Sequence, residues 1–179
     1  KVIGHELGAE DISFEPIVGF GLHSAIPNNH NTNSKLKANE IVLIDMGMKY
    51  QGYCSDMTRT FLPKKPSAQQ RHVYELVFEA QEAVIRALKA GVQCSKLDEI
   101  ARKSMGDFAE HFGHSLGHGI GLDVHEAPNL SGRSKDILKV GMVVTVEPGI
   151  YLPGKFGVRI EDVGLVTKNG YDNFTQFEK

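Results

Sequence analysis

The chain has 179 residues, 41% of them hydrophobic and 23% charged, with a formal net charge of -2 at pH 7. That length and composition suit one ordinary soluble globular core, and the charge balance gives no basic footprint for nucleic acid or an anionic membrane. No apolar stretch approaches a membrane span, the opening Lys1-Val2-Ile3-Gly4-His5-Glu6 lacks a signal peptide's apolar core, and two cysteines are too few for a disulfide framework, so a cytoplasmic location is expected.

Residues 1–35 are rich in Asn, Gly, His and Pro and read as a short strand plus a long loop. Residues 40–48 and 53–62 read as strands joined by a turn at Lys49-Tyr50-Gln51-Gly52, and Pro63 and Pro66 close the unit. A helix begins at Ser67 as N-cap, with Gln70 in the capping-box position. Its apolar stripe is Val73, Leu76, Val77, Ala80, Val84, Ala87 and Leu88, and Gly91 supplies the stop. A second helix opens at Ser95 with Asp98 three residues on, turns Leu97, Ile100, Ala101 and Phe108 inward, and fades before Gly113. Residues 142–147 and 158–167 read as a second strand pair, with a turn signal at Asn169-Gly170. No linker or low-complexity stretch divides the chain, which makes residues 1–179 a single domain.

The two strand pairs echo each other. Leu36-Lys37-Ala38-Asn39-Glu40-Ile41-Val42-Leu43-Ile44-Asp45-Met46-Gly47 is matched by Leu138-Lys139-Val140-Gly141-Met142-Val143-Val144-Thr145-Val146-Glu147-Pro148-Gly149. Each copy is followed by a strand with a further acid, Asp56 and then Glu161. Asp45 and Asp56 lie eleven residues apart, a spacing that can set them side by side across a hairpin. A single such acid reads as a turn residue or half of a surface ion pair. Four carboxylates at the ends of buried strands are costly unless a cation holds them. Gly117-His118-Gly119 between the hairpins adds a nitrogen that other groups can approach closely. The oxygen-rich set suits two divalent ions, with manganese expected and cobalt or zinc as alternatives, rather than a structural zinc site. Cys54 precedes Asp56 by two residues, and a small buried thiol is the expected reading.

These passages resemble the pita-bread metallopeptidases, the family of methionine aminopeptidase, aminopeptidase P and prolidase. The resemblance rests on Ile44-Asp45-Met46-Gly47, Ser55-Asp56-Met57-Thr58-Arg59-Thr60, the run from His114 to Glu126, Val146-Glu147-Pro148-Gly149 and Val158-Arg159-Ile160-Glu161-Asp162. It implies an internally duplicated α+β fold, two curved antiparallel sheets with helices outside, around a dinuclear metal centre. It also implies that Asp56 and Glu161 bridge the ions, that Asp45 completes one, and that His118 and Glu147 complete the other. Glu147 is then the group that moves a proton towards the leaving nitrogen. By the same resemblance His125 approaches the scissile amide and His114 the leaving-group side, while Arg159 stands behind the bridging acid. Arg159 reads equally as a strand-edge arginine paired with Asp162, and Tyr151 as either a supporting donor or core packing. Relatives generally carry an N-terminal helix and a further N-terminal domain, so the chain is expected to be a catalytic domain without them.

Glu147 and Glu161 are fourteen apart, and the Val-Arg-Ile-Glu-Asp passage resembles the Xaa-Pro peptidases more than methionine aminopeptidase. The expected activity is a metal-dependent Xaa-Pro dipeptidase or aminopeptidase P-like enzyme acting on peptides with proline after the first residue. The alternatives are a methionine aminopeptidase and a non-catalytic module that binds peptide or protein. Neither nucleic acid nor membrane is an expected partner, and a homodimer is the candidate assembly. One position departs from the family pattern: Asn28 stands where relatives have a substrate-contacting histidine, with His23 and His30 nearby but out of register.

Overall fold

The computed structural model describes residues 2–179, and its loop-rich start holds more regular structure than its composition suggests. A short helix, α1 (Val2–Glu6), leads into strands β1 (Asp11–Ile12) and β2 (Ile17–Phe20) and a 3-10 turn at Gly21–Ala25. The reading of residues 1–35 as one strand and a loop is thereby corrected. Both strands are recruited by pairing with the hairpin that follows, which local composition does not report.

That hairpin comprises β3 (Val42–Met46), β4 (Met48–Tyr50), β5 (Tyr53–Cys54) and β6 (Met57–Phe61). The two predicted strands are each broken once, at Gly47 and at Ser55-Asp56. Gly47 lies so close to the partner chain segment that a Cβ there would collide with the Ser55 carbonyl oxygen. The outcome is two three-stranded sheets, β2-β3-β6 and β1-β4-β5. Asp45 pairs with Thr58 across the first of them, which sets Asp56 beside the end of β3. Cys54 belongs to the other sheet and is only half-buried, so the expectation of a buried thiol is corrected.

The capping box at Ser67 forms, with Gln70 N donating to Ser67 Oγ and Ser67 N donating to Gln70 Oε1. It opens α2 (Ala68–Ala87), which ends at Leu88, ahead of Gly91. The second helix, α3 (Cys94–Met105), begins before Ser95, and no side chain caps it. Asp98, expected in a capping role, is instead buried and held by Arg102 Nε at 2.7 Å.

The rest of the chain supplies β7 (Gly117–Gly119), β8 (Glu126–Leu130), β9 (Val143–Val146), β10 (Gly149–Leu152), β11 (Phe156–Arg159), β12 (Asp162–Val166) and β13 (Tyr171–Asn173). They form a five-stranded sheet in the order β13-β12-β9-β7-β8 and a separate hairpin, β10-β11. The predicted strand 158–167 is split at Ile160-Glu161, where the chain leaves β10 for β9. Val73, Val77 and Val84 of α2 and Leu97 and Ala101 of α3 close a core with Val144, Val146, Ile150, Val158 and Ile160. Each large apolar side chain so buried contributes roughly 1.5–3 kcal/mol. Gln81 interrupts the stripe of α2 for a reason: its Nε2 donates to Val146 O at 2.9 Å and Ile160 O at 3.2 Å. These carbonyls immediately precede Glu147 and Glu161, so the helix holds both strand breaks that carry the glutamates.

Candidate active site

The acids sit where the strands end or break. Asp45 lies near the end of β3, Asp56 in the break before β6, Glu147 just after β9 and Glu161 just before β12. At such points the backbone leaves the ladder, and the side chain can turn towards the space between the sheets. His118 reaches the same space from the middle of β7. Its flanking glycines fit the close approach expected, because a Cβ at Gly117 or Gly119 would collide with the carbonyl oxygens of Thr145 or Ala127. The five side chains line one cavity of about 370 Å³, together with His114, His125 and Arg159. Asp45, Asp56 and Glu161 are only 8%, 7% and 1% exposed.

A hydrogen-bond network fixes the acids from outside. Arg159 Nη2 donates to Asp45 Oδ2 at 2.6 Å, Nη1 to Tyr151 Oη at 2.7 Å and Nε to Thr58 Oγ1 at 3.0 Å. Because Thr58 Oγ1 accepts there, its single proton goes to Glu161 Oε2, 2.7 Å away. Thr145 acts similarly for the other glutamate, accepting from His118 N at 3.0 Å and donating to Glu147 Oε1 at 3.2 Å. His114 Nδ1 faces Ser115 O at 2.8 Å, so it carries the hydrogen, and Nε2 accepts from Tyr151 Oη at 2.8 Å. Burial keeps His114 below the ordinary imidazole range and therefore neutral.

What remains unpaired is informative. Asp45 Oδ1, Asp56 Oδ1 and Glu161 Oε1 are buried without a hydrogen-bond partner. His118 Nδ1 donates to Gly119 O at 2.9 Å, which leaves Nε2 as a bare lone pair facing Glu147 Oε1 at 3.2 Å and Asp56 Oδ2 at 3.9 Å. Lone pairs turned on one another ask for a cation, a proton or a metal, between them. One ligand atom from each of Asp56, His118 and Glu161 lies within 4.8 Å of the other two. The electrostatics agree. Burial, then Asp45 and Glu147, pushes the Asp56 carboxyl up to about 8, and burial with the same neighbours holds Glu161 well above the carboxylate range. Burial also raises Glu147, but a proton held between its carboxylate and His118, with the charge of Arg159, outweighs burial and holds it low. A donor set of hard oxygens plus one imidazole, short of positive charge, fits divalent metal ions.

The structure gathers all five expected ligands with His114, His125, Arg159 and Asn28. His125 lies against His118 with ring centroids 4.4 Å apart. His23 stays outside the cavity, near Ser34 Oγ, while His30 lines it. Of the two readings of Arg159, pairing with Asp162 is overturned: Asp162 belongs to Arg59 and Lys179. Tyr151 is a supporting donor rather than mere packing. Thr58, Thr145, Gln81 and Arg59 escaped the sequence reading. Alternation could have found the threonines, since Thr58 stands two residues after Asp56 and Thr145 two before Glu147. Nothing in the sequence marks Gln81 beyond its place on an apolar stripe.

Comparison with known proteins agrees with this geometry. The family model described as metallopeptidase family M24 matches residues 1–168. An uncharacterized peptidase of Staphylococcus aureus is 44% identical over 176 residues, covering 97% of this chain and 50% of that protein. Prolidase from Pyrococcus furiosus superposes with a TM-score of 0.97 at 41% identity, covering 99% of this chain and 53% of that one. An X-Pro aminopeptidase from Thermotoga maritima superposes at 0.94 and 41% identity, covering 97% and 50%. The chain thus spans about half the length of the relatives it matches, and it shares their α+β pita-bread architecture. On these grounds the chain belongs to metallopeptidase family M24.

Proposed function

We propose that the protein is the catalytic domain of a metal-dependent exopeptidase that hydrolyses the peptide bond before proline, as a dipeptidase or an aminopeptidase P-like enzyme. The observation that carries this reading is the cavity in which the bare His118 Nε2 and three partnerless carboxylate oxygens face one another beside Arg159. Asp45, Asp56, His118, Glu147 and Glu161 would hold two divalent ions, manganese first among the candidates. Such ions supply Lewis-acid polarisation of a carbonyl and make water a nucleophile at neutral pH.

The chain's own residues do the rest. Glu147, held ionised, takes up a proton and returns it to the leaving nitrogen. His125, exposed at the cavity and lowered below the ordinary imidazole range by desolvation and by His118 beside it, is free to contact the scissile amide. His114 is committed at both ring nitrogens, so its contribution on the leaving-group side passes through Tyr151 rather than through a free N–H. Burial raises the Asp45 carboxyl above its ordinary range, and Arg159 offsets part of that rise while aiming the side chain. The names of the relatives, a prolidase and an X-Pro aminopeptidase, support this class over methionine aminopeptidase. Retention of all five ligands supports an enzyme over a binding module.

The test is to strip the protein with chelator, reconstitute it with manganese, cobalt or zinc, and assay Xaa-Pro dipeptides, longer Xaa-Pro peptides and Met-Ala peptides side by side. Metal-dependent cleavage confined to the Xaa-Pro substrates is expected, with close to two ions per chain by elemental analysis. Preference for Met-Ala, or cleavage indifferent to chelation, would overturn the reading.

A further inference from the structure

Behind the cavity, on the opposite face of β6 from Thr58, lies Arg59, 3% exposed. A guanidinium has five N–H donors, and here each has its own acceptor. Nε donates to Glu178 O at 3.0 Å, Nη1 to Thr58 O at 3.0 Å and Glu161 O at 2.6 Å, and Nη2 to Asp162 Oδ1 and Phe177 O, both at 2.8 Å. Four of the five acceptors are main-chain carbonyls and the fifth is a carboxylate oxygen, a set that a lysine could not hold together, since it offers three donors from a single point. The two held by Nη1 are the carbonyls of Thr58 and Glu161, whose side chains hydrogen-bond each other on the cavity side. Glu161 N also donates to Thr58 O at 3.1 Å.

The guanidinium is itself strapped down. Residues 174–179 pass over it, giving it the carbonyls of Phe177 and Glu178. Lys179 Nζ then closes the strap onto Asp162 Oδ2 and onto Glu82 of α2, each at 2.9 Å. Asp162, fully buried, receives Asn173 Nδ2 as well, so its charge is met from three sides.

We propose that Arg59 is a positioning residue for the candidate metal centre. It clamps the main chain of Glu161 and Thr58 from behind, so that the Glu161 carboxylate meets the cavity in one orientation, and residues 174–179 hold the clamp shut. This inference rests on the metallopeptidase reading above. It adds that the residues tying down the start of β12 tune metal affinity and turnover without touching metal or substrate.

The experiment uses the full-length protein with Arg59→Lys and Lys179→Met, each checked for cooperative melting. Cobalt is titrated and followed by its visible absorption, and kcat and KM are measured on an Xaa-Pro dipeptide. Arg59→Lys should weaken cobalt binding roughly tenfold or more, alter the absorption band and lower kcat more than KM. Lys179→Met should move all three in the same direction by less. A folded Arg59→Lys with wild-type affinity and spectrum would overturn the proposal, because a purely structural arginine would change melting alone. Should Arg59→Lys fail to fold, unchanged affinity and kcat in Lys179→Met overturns it. A wild type that binds no cobalt would sink the metallopeptidase reading and this inference with it.

Discussion

The two hairpins that carry the acids follow the same pattern of apolar run, acid and glycine, yet live in different surroundings. In the second, Val144, Val146 and Val166 are fully buried, and α2 packs against β9, β10 and β11. In the first, Val42 and Ile44 are half-buried, and Met46 and Phe61 are 39% and 43% exposed. The acids follow suit, with Glu161 at 1% and its first-half counterpart Asp56 at 7%. Alternation of apolar residues therefore fixes where a strand lies and which residues share a face. How deeply that face is buried depends on what packs upon it, and that is settled elsewhere in the chain.

The comparison can be broken most forcefully at the acids. Glu161→Ala removes the most buried ligand, and kcat/KM on an Xaa-Pro peptide should fall at least roughly 100-fold, about 2.7 kcal/mol or more of transition-state stabilisation, with metal content reduced. Near-normal turnover with normal metal would remove this glutamate from the centre. Next come the cores of the two halves. Ile150→Ala, in the covered half, should cost about 2–5 kcal/mol in urea unfolding, against about 1 kcal/mol for Ile44→Ala in the open half. Equal costs would show that the two halves are equally packed in solution.

Acidity offers a third probe. The Asp56 carboxyl is raised from 3.8 to about 8 in the folded protein, so the native state favours its protonated form. Stability from this group is fully present below about pH 4 and is lost as pH rises towards 8. Chelated protein should accordingly melt lower at pH 8 than at pH 5.5, and divalent metal should remove that loss, since binding needs the deprotonated ligands. Chelated protein that is equally stable at both values would contradict mutual repulsion among the acids. The smallest expected effect belongs to the first-half loop. Asn28→His should raise kcat/KM roughly fivefold, about the 1 kcal/mol of one good hydrogen bond, with metal content unchanged. If His30 already fills that place, His30→Ala lowers activity and Asn28→His does nothing.

The ligand set was legible because it is repeated: Asp45 with Asp56 and Glu147 with Glu161 stand at matching places, and His118 sits between glycines. The helices announced themselves through Ser67 and the stripe that follows it. What the sequence hid were changes of partner. Residues 53–62 and 158–167 each read as one strand, because a two-residue period continues through a break when the next segment joins a different sheet. β1 and β2 were missed since their strand character comes from the neighbours they pair with. Ser95 and Asp98 imitate a helix cap, yet Asp98 answers to Arg102, four residues on. Arg59 drew no separate reading within Ser55-Asp56-Met57-Thr58-Arg59-Thr60, and its five acceptors include four main-chain carbonyls, a role that no residue pattern records.

The ties that complete the cavity are long in sequence. Arg159 meets Asp45 across 114 positions, Thr58 meets Glu161 across 103, and Arg59 reaches Phe177 across 118. Contacts of such separation form late in folding, after local helices and hairpins are in place. The carboxylates consequently do not confront one another until both halves have docked, and the repulsion among them opposes the final closure rather than the earlier steps. A half-folded chain would own every ligand and yet no centre, so the capacity to bind metal arrives together with the native state.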